Sequence, residues 1–140
     1  MTSRRAFLVD LALLIVRATG AFMLFYLHGL DKVKAAYDHY AHGAEWQFPA
    51  MIAGTHLPLP TLLALFATFA EGIASLFMGA GLWTQYAATV VAVSMTGAIF
   101  THIQSSTRPE LAVLYWVISL LFVFHEPGRF AIDSKRTGRR

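Results

Sequence analysis

The chain contains no cysteine, which excludes disulfides and thiolate-bound metals and leaves His, Asp and Glu as the available metal ligands. Charge is also scarce. Only 14% of the 140 residues are Asp, Glu, Lys or Arg, against 56% hydrophobic, a balance too apolar for an ordinary soluble domain. A nucleophilic triad, a phosphate-cradling glycine loop and a dinucleotide fingerprint are likewise missing. At this length the chain is one domain.

The net charge of +3 and a pI near 9.5 would suit a nucleic-acid partner, but the basic residues sit in the wrong places for one. Seven of the eleven Lys and Arg residues, Arg4, Arg5, Arg129, Lys135, Arg136, Arg139 and Arg140, lie at the two ends. Lys32, Lys34 and Arg108 fall in the connections, and Arg17 falls within an apolar block. That asymmetry is a topology signal, and it predicts that both termini are cytoplasmic. The basic run of the 125–140 tail is expected near anionic lipid.

What is present is hydrophobicity in blocks. Residues 7–28 suffice to cross a ~30 Å hydrocarbon core at ~1.5 Å per residue. Because Asp10 and Arg17 interrupt this block and no A-x-A site follows, it reads as an uncleaved span, not a signal peptide. Further spans are expected over about 61–82, 86–103 and 109–124. The link WTQ forces a tight antiparallel turn between the second and third, and Pro109 suits a first helical turn. Residues 31–60 are polar and close with HLPLP, so they are expected to form one long extracytoplasmic loop, with Trp46 and Phe48 at headgroup level. The expected fold is all-α: an integral membrane bundle of four antiparallel helices.

Polar residues inside spans are costly and face the bundle interior, usually with a partner. Arg17 and Glu71 each lie about halfway along their spans, so they are expected to reach one depth and form an ion pair. Such a pair either fixes helix register or borders a substrate, proton or quinone site. Asp10, Arg17 and His28 recur near whole helical turns, as do Thr61, Thr68, Glu71 and Ser75, which predicts two facing polar edges. His28, His102 and Glu110 should converge at the outer ends of three helices as the mouth of a site. Imidazole suits iron, copper and zinc, so a haem or His-ligated metal between His28 and His102 is chemically open, although no metal site is assigned. Tyr115, Ser119 and Glu126 form a modest polar line that reads as packing.

Several separated pieces then share one pattern: Arg17 followed by HGLDK at 28–32, LPLP at 57–60, AEGIASLFMGAGLWT at 70–84 and PGRFAID at 127–133. In this order they resemble the DoxX family. The resemblance implies a small four-helix protein of a bacterial or archaeal cytoplasmic membrane, in a family named for a subunit of a thiosulfate:quinone oxidoreductase. It also marks Arg17, His28, Asp31, Lys32 and Glu71 as the characteristic positions. The His-rich segment between the first two spans departs from the pattern.

Two functions follow as expectations. The first is a subunit of a quinone-linked redox system, an oxidoreductase subunit and not a complete enzyme. In it Arg17, Glu71 and His28 do the polar chemistry, and His28, His102, Glu110, Asp31 and Lys32 border the cofactor. The second is a non-catalytic anchor or assembly subunit of a larger membrane complex. Both place the chain in the lipid bilayer, beside other membrane or redox proteins. A small transporter is disfavoured by the lack of internal repeats or broken helix pairs.

Overall fold

A computed structural model describes residues 3–136; Arg139 and Arg140 of the basic tail lie outside the described residues. Helix α1 runs without a break over Ser3–His42, α2 over Gln47–Ala53, α3 over Pro60–Ala80, α4 over Thr84–Gln104, α5 over Glu110–Phe124 and α6 over Ile132–Arg136. No strand occurs among the described residues. Helices α1, α3 and α4 are each long and apolar enough to cross a membrane, and α5 is a shorter apolar helix. Their outward side chains are large and apolar, among them Phe22, Leu62, Val93 and Phe124. Such an exterior suits lipid contact and not water.

The expected loop over 31–60 is largely helical. Helix α1 continues through it to His42 and ends where Gly43 turns left-handed, at φ 70°. The 40 residues of α1 therefore extend ~60 Å, twice the thickness of the hydrocarbon core. What holds the polar extension in helical form is packing. Ala36 of α1 and Ala64 of α3 are small enough to let the two helices approach, and Trp46, Ile52 and Phe48 fold back over them as a separate small core.

Two close approaches set the register of α1 against α3. Gly29 lies against the Glu71 backbone, and Gly79 lies against the Ala21 methyl group. Facing residue numbers thus sum to about 100. The two expected polar edges meet along this seam: Arg17, Thr68, Glu71 and Ser75 are buried and Asp10 and His28 half-buried, whereas Thr61 is exposed.

Helices α4 and α5 form the second hairpin, pinned by the Trp116 indole N–H donating to Thr96 Oγ1 at 3.1 Å. The turn between α3 and α4 is closed by the tail. Asp133 accepts hydrogen bonds from the Trp83 and Thr84 amides at 2.9 and 2.8 Å and from the Thr84 hydroxyl at 2.8 Å. A carboxylate here satisfies the free amides of the α4 N-terminus and complements its dipole. Ala131, fully buried, fits beneath Gly81, where a side chain would collide with it. The PGRFAID segment is thus a docked plug.

Candidate functional site

Arg17 and Glu71 do not meet, which corrects the ion pair expected from their mid-span positions. With facing numbers summing to about 100, Arg17 is level with Trp83 and Glu71 with Gly29. Twelve residues of α1 separate those levels, or ~18 Å. The two residues lie at different depths because α1 extends well past residue 28, so the middle of the apolar block is not the middle of the helix.

Arg17 is 1% exposed. Its guanidinium donates to the carbonyls of Gly79 at 3.1 Å, Pro127 at 2.7 Å and Phe130 at 3.5 Å. Gly79 lies in the last turn of α3, where unpaired carbonyls and the negative end of the helix dipole favour a cation. A planar fork of donors suits three backbone acceptors in different directions. Arg17 therefore fastens the tail to the end of α3.

Glu71 is 3% exposed and accepts a hydrogen bond at 2.5 Å from the Lys32 ammonium. The Lys32 ammonium also lies over the Phe48 ring, 4.7 Å from Nζ to its centroid. Both α1 and α3 change local winding here. A π turn over Phe25–Gly29 carries His28, and another over Ala70–Ala74 carries Glu71. Each π turn inserts a residue and rotates the following side chains relative to a regular α-helix, a device frequent at functional sites. The Ser75 hydroxyl stabilises the second by donating to the Glu71 carbonyl at 2.6 Å.

His28, Lys32 and Glu71 form one wall of a cavity of about 240 Å³ between the two hairpins. His28, Lys32 and Glu71 come from α1 and α3; His102 from α4; Glu110 and Tyr115 from α5; and Arg108 from the connection before α5. Leu24, Met95, Ala98, Leu111 and Ala112 supply the apolar remainder. The structure therefore brings together five of the residues marked from sequence, His28, Lys32, Glu71, His102 and Glu110. It leaves out Arg17, held by the tail, and Asp31, exposed on α1 outside the cavity lining. At the mouth, His102 Nδ1 lies 2.7 Å from the Thr107 hydroxyl, and Arg108 Nη1 lies 3.9 Å from Glu110 Oε1.

From sequence alone Tyr115 reads as packing and Arg108 as a topology marker. The ring of Tyr115 does pack, against Leu24, Val91 and Met95, but it also meets the His28 ring edge-to-face at 5.9 Å between centroids. The available signal is spacing, since Tyr115 follows Leu111 by four residues, about one helical turn, and shares its face.

The cavity is smaller than the ~300–1,000 Å³ typical of sites for drug-sized ligands. With ~30 Å³ for each water, it has room for roughly eight waters or one small ring system. No group of three or more His, Asp or Glu side chains among the described residues is arranged to hold a metal ion.

Comparison with known proteins matches residues 12–104 to the DoxX family model. A relative from Haemophilus influenzae, described as an uncharacterized protein, is 30% identical over 115 residues, covering 74% of this chain and 86% of its own. No solved structure matches.

Proposed function

Because the chain belongs to the DoxX family and is a multi-pass membrane protein by its apolar helices, we propose that it is the membrane subunit of a quinone-linked redox system. On this reading the cavity between the hairpins receives a quinone headgroup. The observation that carries it is the Lys32–Glu71 pair, its carboxylate buried, beside His28 in a ring-sized cavity that also has an apolar wall.

A bound quinone would supply reversible two-electron chemistry, and its reduction takes up two protons. This chain's residues offer what such a headgroup needs. His28 and Lys32 carry donors for a ring carbonyl, and Glu71 can hold or release a proton beside them. Lys32 keeps the Glu71 carboxylate oriented toward α1. Leu24, Met95 and Ala98 give the headgroup an apolar wall to pack against.

In the same reading α5 is the fourth span, both termini are cytoplasmic, the membrane is the bacterial cytoplasmic one, and electrons arrive from a separate protein partner. The basic bias toward the ends supports that orientation. The second reading, a non-catalytic assembly subunit, draws support from the stacked and exposed Phe22 and Tyr26 on α1, 5.6 Å apart, an aromatic ledge suited to a neighbouring helix.

Extraction of lipids from protein purified in mild detergent tests the proposal. Quinone retained near one per chain, and lost in His28→Ala and His102→Ala at near-normal yield, is the expected result. Absence of quinone from the wild type together with a stoichiometric protein partner would favour the assembly subunit.

A further inference from the structure

Two buried polar atoms belong to side chains lining the cavity and have no hydrogen-bond partner among the described residues: the Tyr115 hydroxyl and His28 Nε2. Trp46 Nε1 and Ser94 Oγ are also unpartnered, but their residues lie outside the cavity lining. Burying a hydroxyl without a partner is destabilising, so natural interiors seldom contain one without a use for it. A phenylalanine would fill the same space without that cost.

The charges around the cavity narrow what the two atoms could meet. Lys32 is bound to Glu71, and Arg108 stands opposite Glu110. Lys32, on the wall beside His28, is thus committed to a buried carboxylate, and an anionic ligand would have to break that pair to gain it, whereas the exposed Arg108–Glu110 pair, 3.9 Å apart, adds little to the barrier. A neutral ligand meets no such barrier. Tyr115 is also well fixed, being 5% exposed and held among Leu24, Val91 and Met95, so its hydroxyl is oriented in advance.

We propose that Tyr115 and His28 are ligand-contacting residues that select a neutral ring compound through its carbonyl oxygen, the Tyr115 hydroxyl donating to that oxygen and His28 Nε2 flanking it. This inference rests on the quinone reading of the cavity. It adds the ligand's charge class and a contact residue on α5.

The test uses the full chain in nanodiscs and two ring compounds matched in size, 2-methyl-1,4-naphthoquinone, which is neutral, and 2-hydroxy-1,4-naphthoquinone, which is an anion at neutral pH. Wild type should bind the neutral compound more tightly. Tyr115→Phe should raise its Kd roughly tenfold, the usual worth of a buried donor, while its unfolding midpoint without ligand stays at or above that of wild type. That combination separates a ligand contact from a structural one. Equal Kd values for wild type and Tyr115→Phe would overturn the Tyr115 contact and leave the quinone reading standing. Tighter binding of the anion would overturn the charge class, as would a lowered midpoint for Tyr115→Phe the assignment of its hydroxyl to the ligand. Failure of wild type to bind either compound would overturn the quinone reading and this inference together.

Discussion

Gly29 and Glu71 touch through their backbones: a Cβ placed on Gly29 would lie 2.6 Å from the Glu71 carbonyl carbon and 2.9 Å from the Gly72 amide nitrogen. Only glycine allows α1 and α3 to come this close, and the closeness brings Lys32 within reach of Glu71. Gly29→Ala must move backbone against backbone, so it is expected to cost at least the ~1–3 kcal/mol of core overpacking. Gly72→Ala meets a Val33 methyl group at 2.6 Å, a side-chain end that can yield, and should cost less. Gly97→Ala meets nothing within 4 Å and should gain helix propensity. Unfolding midpoints in detergent should rank Gly97→Ala, Gly72→Ala, Gly29→Ala from highest to lowest.

The two members of the buried ion pair are not equivalent. Glu71 has a side chain 4% exposed and Lys32 one 25% exposed. Lys32→Met leaves a buried carboxylate without its cation, for which ~3–5 kcal/mol is typical. Glu71→Gln leaves an ammonium that can turn toward water, and should cost less. The double variant should recover part of the Lys32→Met loss, a coupling that a double-mutant cycle of unfolding measures directly.

Arg17 yields a different phenotype. Its three acceptors are backbone carbonyls, two of them in the tail, and each one orphaned costs ~1–3 kcal/mol. Arg17→Gln and Arg17→Lys should both loosen the plug, because a lysine lacks the planar fork. Limited trypsin digestion should then cut after Arg129 in the variants and spare wild type, while ligand retained in the distant cavity changes little.

Much of this arrangement was legible in the sequence. The burial of Glu71 followed from a lone acid in an apolar block, and the convergence of His28, His102 and Glu110 followed from their positions at span ends. The partner of Arg17 did not follow, since backbone carbonyls carry no residue signature and any turn can present them. The partner of Glu71 was hidden for a related reason. Lys32 sits in a polar stretch that looks like loop, and it is helical because Ala36, Ala64 and Trp46 pack there, contacts between residues distant in sequence. The π turns carrying His28 and Glu71 meet at the Gly29–Glu71 approach and have no local pattern to announce them.

Sidedness has its own test. If both termini are cytoplasmic, protease added outside intact cells should leave a C-terminal epitope in place, and cutting should occur only after the membrane is permeabilised. Removal of the epitope from intact cells would reverse the orientation and place the cavity mouth on the cytoplasmic side.

The central claim is that a quinone headgroup occupies the cavity between the hairpins, and photolabelling tests it most directly. A ring-azido quinone, irradiated with the full chain in nanodiscs and mapped by mass spectrometry, should modify α1 near His28 and the 95–115 region, and an excess of unlabelled quinone should suppress both. Adducts confined to the lipid-facing residues Phe22, Tyr26 and Val93, unaffected by competitor, would contradict the account.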